Sequence, residues 1–200
     1  MNKKELMDKL RKEAIGSHEC PLEESRTQLV FGEGNPDADI MIVGQGPGAE
    51  EDKIGRPFVG PAWEMLERAL EEVGLKREEV WITNIIKCRA TRLQGGRVVD
   101  RAPYVKEKKA CRPVLNTEIE IVQPKVIVCL GAEAAKELID KDFKITEERG
   151  KWHGGSGGIK TIATFHPAYV LRLLSIDREE WQKVWDDILG DLAEAAKAAK

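Results

Sequence analysis

Between Met41 and Gly60 the chain reads MIVGQGPGAEEDKIGRPFVG, and its residue types are those of a ligand site. Gly44, Gly46 and Gly48 permit positive φ and let a ligand approach the backbone closely. Gln45 puts a polar side chain at the tip of the same turn. Gly55-Arg56-Pro57-Phe58-Val59-Gly60 holds an aromatic ring between two turn-forming glycines. That ring is either a ligand contact or a small satellite of the core. The glycines are not spaced G-x-G-x-x-G, Pro47 removes an amide that a phosphate would use, and no Gly-Lys-Ser/Thr follows. A dinucleotide or nucleoside-triphosphate loop is therefore excluded, and a pocket at a strand end remains.

The elements that must position this pocket follow from the apolar pattern. Asp39–Val43, Val80–Ile86, Pro124–Gly131 and Lys160–Phe165 read as buried strands. Helices are expected over residues 3–15, Ala62–Val73 (closed by Gly74), Ala132–Ile139, Tyr169–Leu174 and Arg178–Ala196. A further helix, Lys106–Val122, should be interrupted near Arg112-Pro113, because proline fits poorly inside a helix. Gly16–Asn35 should be mostly irregular, and Arg89–Tyr104, with Gln94-Gly95-Gly96 and Pro103, reads as a loop. Strands alternating with helices imply an α/β fold, a three-layer α/β/α arrangement around a four-stranded, mostly parallel sheet. Residues 1–200 are expected to form one domain.

Hydrophobic residues make up 42% and charged residues 34% of the 200 residues, as in an ordinary globule. The N-terminus MNKKELMDKLRKEAI is charged and helical in pattern, unlike a secretory signal. No apolar run is long enough to span a membrane. Four cysteines in such a chain suggest thiols or metal ligands rather than disulfides, and a cytoplasmic location is expected. The net charge is −3, yet between Lys87 and Arg112 nine basic side chains stand against Asp100 and Glu107. That segment is +7 and the remainder −10, so it is either a solvated face or a phosphate-contacting one.

Four blocks taken together carry a resemblance. GQGPGAEEDKIGRPFVG, Cys20-Pro21-Leu22, Ile82-Thr83-Asn84-Ile85-Ile86-Lys87-Cys88 and Thr164-Phe165-His166-Pro167-Ala168-Tyr169 are similar, in this order, to the motifs of the uracil-DNA glycosylase superfamily. The likeness is to its iron–sulfur family 4 and covers roughly residues 15–190. It implies a repair glycosylase that flips uracil out of DNA and hydrolyses its N-glycosidic bond. The alternative is a uracil- or damaged-DNA-binding protein on the same fold with little turnover. The expected partner is uracil-containing DNA, bound by a monomer associated with the nucleoid through that DNA.

On this resemblance Phe58 supplies a flat surface for the base, and Asn84 a carboxamide that can donate to and accept from its edge. His166 donates to the oxygen of the departing uracil. Gly44, Gln45 and Gly46 complete the base site, with Gln45, Asn84 and His166 as catalytic candidates. Tyr169, Leu171 and Arg172 are candidates for insertion into the duplex, while Arg92, Arg97 and Arg101 are candidate phosphate contacts. A 4Fe-4S cluster would take Cys20, Cys88 and Cys111, either completed by Ser17 or His18 or left incomplete and labile. Cys129 lies inside VIVCL and reads as a buried small hydrophobe.

Three departures from the family pattern stand out. Family 4 members usually carry an acid where this chain has Gln45. Glu50, Glu51 and Asp52 follow as candidates to orient the attacking water, or as solvated loop charges. The first cluster position is Ser17 rather than cysteine. The long segment Arg89–Tyr104 resembles the insertion of a branch that cross-links to uracil-containing DNA through a loop histidine. Here it contains none, and Asp100 stands near the corresponding place.

Overall fold

The computed structural model describes residues 1–17 and 20–200, without the side chain of Ser17. The chain opens with helix α1 (Lys3–Ser17), followed by the two-residue strand β1 (Glu33–Gly34) and by β2 (Ile40–Gly44). Short helix α2 (Ala49–Ile54) and α3 (Pro61–Glu72) lead to β3 (Val80–Asn84). Strands β4 (Thr91–Gln94) and β5 (Arg97–Asp100) precede the long α4 (Val105–Val122). Then come β6 (Val126–Leu130), α5 (Ala132–Leu138), the single turn α6 (Ile145–Glu148), β7 (Trp152–Gly154) and β8 (Lys160–Thr164). Helices α7 (Pro167–Leu174) and α8 (Arg178–Ala199) end the chain.

Six strands form the main sheet in the order β1-β3-β2-β6-β8-β7. The central four are parallel, as the apolar runs predict, and β1 and β7 add short antiparallel edges. Side chains alternate between the two faces. Met41, Val43, Trp81, Ile127 and Cys129 pack with Leu115 and Ile119 of α4 and with Ala134 and Ala135 of α5. Ile40, Ile42, Ile82, Val128 and Ile162 pack with Leu66 and Leu70 of α3, Val170 of α7 and Ile188 and Leu192 of α8. The result is the three-layer arrangement, with two edge strands that the sequence pattern did not reveal. Among the described residues no helix is long and apolar enough to cross a membrane.

Two local expectations change. Helix α4 runs through Pro113 without interruption. Pro113 sits on the exposed side, so the carbonyl it leaves without an intrahelical donor is open to solvent. The expected loop Arg89–Tyr104 contains a hairpin instead. Gln94 pairs with Arg97 across Gly95-Gly96, whose φ values of 58° and 76° are the two positive angles of a type I′ turn.

Strand order locates the site. The connection leaving β2 runs to β3 on one side, and the one leaving β6 runs to β8 on the other. Adjacent strands whose connections diverge leave a crevice at their carboxyl ends, where open α/β sheets bind ligands.

Candidate active site

A cavity of about 570 Å³ opens at that crevice. It is lined by the turn after β2, the Phe58 loop, Asn84 at the end of β3, Gly131 after β6 and the start of α7. The parallel register sets Gly44 beside Asn84. A Cβ at position 44 would lie 2.6 Å from Asn84 Oδ1 and 2.8 Å from Phe58 Cζ. Glycine is thus what allows the ring and the carboxamide to converge over one backbone position.

Phe58 reaches that place at a cost. Its φ of 55° is left-handed, which for a residue with a Cβ is worth roughly 1–2 kcal/mol of strain. Glu51 offsets it, accepting hydrogen bonds from the amides of Val59 (3.0 Å) and Gly60 (2.9 Å) through Oε1 and from Gly48 (3.1 Å) through Oε2. Bonds to a charged acceptor contribute roughly 1.5–3 kcal/mol each, so the carboxylate outweighs the strain and ties the two loops together. The ring edge rests on Trp63, with centroids 6.0 Å apart. Asp52 is likewise committed, accepting from the Thr27 amide. Of the three loop acids, only Glu50 makes no hydrogen bond or ion pair among the described residues, and it lines the cavity.

Asn84 is 4% exposed, and its carboxamide has no hydrogen-bond partner among the described residues. Its main chain is held from behind. Lys87 Nζ donates to the Asn84 carbonyl (2.9 Å), to Thr83 Oγ1 and to Glu118 Oε2 (2.6 Å). The Lys87 and Glu118 side chains are both fully buried. Glu118 also accepts from Thr83 Oγ1 and the Gly32 amide. A buried pair satisfied on every side is tolerated, whereas losing one partner strands a charge. Lys87 and Glu118 are 31 residues apart, and no local pattern announces their meeting.

His166 caps α7. Its Nδ1 accepts from the Ala168 amide at 3.1 Å, so the proton of the neutral ring resides on Nε2. Burial first, then the charge of Arg172, lower its pKa to about 4, against a smaller opposing effect of Glu51. The cavity therefore holds a neutral imidazole that can donate one hydrogen bond. Gln45 sits at the rim, its Nε2 donating to the Arg101 carbonyl at 3.4 Å. Tyr169, Leu171 and Arg172 line the cavity beside His166, with Arg172 5.7 Å from the centre of the Tyr169 ring.

Three cysteines converge behind the pocket. The thiols of Cys88 and Cys111 are both pushed up, first by a hydrogen bond with Cys20 and then by burial. Arg26 Nη1 donates to Cys88 Sγ at 3.0 Å, and the Lys87 amide donates to Cys111 Sγ at 3.2 Å. Soft sulfur donors on three segments, met by N–H groups that would stabilise thiolates, have the chemistry of iron–sulfur ligands, although among the described residues no group of three or more such side chains is arranged to hold a metal ion. The Ser17 side chain and His18 lie outside the described residues. Cys129 stands apart in β6, perturbed by burial alone, as a core residue would be.

The basic segment is less cationic at its surface than its sequence implies. Arg101 is paired in bidentate fashion with Glu107 at 2.6 and 2.8 Å, so its guanidinium is spent on the hairpin base rather than free for phosphate. Lys87 is buried on Glu118, Arg89 pairs with Asp100, and Lys108 and Arg112 pair with Glu137. Among the described residues, Arg92, Arg97, Lys106 and Lys109 remain without an acidic partner.

These features are those of an α/β protein with a ligand cavity at the carboxyl ends of its parallel strands, and the comparisons place it in a family. Residues 31–189 match the Uracil DNA glycosylase superfamily. The chain belongs to that superfamily. It is 45% identical over 171 residues to the Type-4 uracil-DNA glycosylase of Thermotoga maritima, covering 85% of each chain. The Type-4 uracil-DNA glycosylase of Sulfurisphaera tokodaii is 40% identical, with 89% of this chain and 83% of that one covered. The one from Archaeoglobus fulgidus is 37% identical over 89% of each.

Proposed function

We propose that this protein is a uracil-DNA glycosylase, hydrolysing the N-glycosidic bond of deoxyuridine in DNA and leaving an abasic site. The observation that carries the reading is the meeting of the Phe58 ring and the unpartnered Asn84 carboxamide over Gly44, in a cavity that also holds neutral His166. The extruded base lies against Phe58, and Asn84 donates to and accepts from its pyrimidine edge. His166 Nε2–H donates to the uracil oxygen on which negative charge grows as the bond breaks, a contribution of roughly 2.7–4 kcal/mol for such a donor. Glu50 is the carboxylate left to orient the attacking water. Gly46 and Gln45 close the near wall, with Gln45 anchoring the hairpin through the Arg101 carbonyl.

Uracil-containing DNA is the partner, met by one copy of the chain acting as a single domain. Arg92 and Arg97 contact phosphates, and Tyr169, Leu171 and Arg172 face the duplex. Cys20, Cys88 and Cys111 would hold a 4Fe-4S cluster, with Ser17 or His18 as the fourth ligand. Such a cluster supplies a rigid cross-link between the segments that bear these cysteines.

A second reading, binding with little turnover, is favoured by one feature only, the absence of a carboxylate at Gln45. Incubation with uracil-containing and matched thymine-containing oligonucleotides, followed by alkali, separates the two. Breaks confined to the uracil position are expected. A band shift without breaks would support the binding protein.

A further inference from the structure

The hairpin β4–β5 is built as an arm. Its base is fixed by the Arg101 amide to the Ala90 carbonyl (3.0 Å), Arg101 Nε to the Thr91 carbonyl (3.0 Å), the Arg89–Asp100 pair and the Arg101–Glu107 pair. Gln45 joins this base to the pocket turn. The rest of the hairpin stands apart from the main sheet. Its two faces differ in kind. Cross-strand partners share a face, so Thr91 with Asp100 and Leu93 with Val98 form one side, and Arg92 with Val99 and Gln94 with Arg97 the other.

Asp100 lines the cavity, so the face that reaches the base site continues outward as an aliphatic pair. Leu93 is 77% and Val98 57% exposed, an unusual expense for a segment otherwise rich in arginine. Val98 is two residues from Asp100, about 7 Å along a strand. That is the span of roughly two nucleotides at about 3.4 Å each.

We infer that Leu93 and Val98 form an apolar wedge that packs against the bases flanking the extruded nucleotide, beside the cavity rim that Asp100 lines. The inference rests on the uracil-excision reading. Aliphatic side chains inserted between base steps unstack them, and the exchange is favourable when the strand is already parted by a flipped base. A two-stranded ribbon is also of a size to enter a groove. The cationic face, with Arg92 and Arg97, is then turned toward the phosphates that border the same step.

The test uses a uracil-containing duplex with 2-aminopurine beside the uracil, whose fluorescence rises when it is unstacked. Unchanged protein should raise the signal. Leu93→Thr with Val98→Thr keeps good strand formers at exposed positions, so the hairpin should persist. This variant should lose most of the fluorescence rise and bind at least about tenfold more weakly, with an unchanged salt slope because no phosphate contact is removed. Equal fluorescence and affinity in the variant would overturn the wedge. Hydrogen exchange on the unmodified protein gives an independent reading. Amides of residues 93–98 should exchange more slowly once an abasic product duplex is added, and no slowing would also count against it. Absence of uracil release by the unchanged protein would instead sink the excision reading, while affinity and fluorescence still report on the hairpin.

Discussion

His166 shows how one ring can be tuned by its neighbours without a charged partner of its own. The Ala168 amide fixes the tautomer, while burial and Arg172 keep the ring neutral. A histidine whose folded pKa lies near 4, below its ordinary value near 6.5, binds fewer protons in the folded than in the unfolded state between these limits. Stability should therefore rise with pH from about 4 to about 6.5, and this contribution should be lost as the solution is acidified through the same window. Thermal melts of the protein and of His166→Asn across that range test it, with the variant expected to show a flatter profile. The same variant should excise uracil roughly 10²–10³-fold more slowly at neutral pH, as expected for a lost donor. A variant with unaltered pH dependence would remove His166 from the set of perturbed groups.

At the level of elements, the pocket depends on how β3, α4 and the hairpin are joined. Lys87→Met leaves Glu118 buried without its cation and should cost about 3–5 kcal/mol in denaturant unfolding. Lys87→Met with Glu118→Met should recover much of that stability. It should not recover full activity, because the Asn84 carbonyl still lacks the Nζ donor. A double variant as active as the original would make the pair purely structural. The hairpin is tested by charge. Arg92→Gln with Arg97→Gln should reduce the salt dependence of duplex binding by up to about 0.9 per lost phosphate contact, with single-turnover cleavage at saturating protein little changed. An unchanged slope would mean that both arginines are only solvated.

These elements also explain what could be read from the residues alone. Strands β2 and β6 are legible because burial on both faces makes them unbroken apolar runs, IMIVG and VIVCL, while β3 (VWITN) and β8 (KTIAT) are β-branched runs that carry threonines. Phe58, in a glycine-bounded loop, Asn84, at the end of β3, and His166, after β8, stand out as motif positions, and the structure brings all three to one cavity. The hairpin reads as a loop in the sequence because it is solvated on both sides and lacks an apolar period, although Gly95-Gly96 between Thr-Arg-Leu-Gln and Arg-Val-Val-Asp is a two-residue turn signal. Lys87 and Arg101 read as part of a charged face, whereas each is paired with an acid far in sequence or at the hairpin base, Glu118 and Glu107. Glu51 offered no hint that its carboxylate would clamp two loops. Pairings of this kind depend on tertiary geometry, which local spacing does not encode.

Across the whole molecule, the three clustered cysteines and the cavity lie on two sides of one short segment. Asn84 faces the cavity, the Lys87 amide meets Cys111, and Cys88 follows directly. Purified without air, the protein should be brown, with a broad visible band and about four irons per chain. Cys88→Ser and Cys111→Ser should each bleach it, whereas Cys129→Ser should not. A colourless, iron-free yet folded and active protein would show that these thiols serve without a metal.

The central claim is that the cavity holds and releases uracil, and free uracil liberated from a uracil-containing duplex under single-turnover conditions tests it most directly. Unchanged protein should release one uracil per site. Phe58→Ala and Asn84→Ala, with melting temperatures close to the original, should each lower the rate at least about a hundredfold, in line with the loss of a preorganised contact. Release by either variant at the original rate, or none by the unchanged protein despite tight binding of the duplex, would contradict the account.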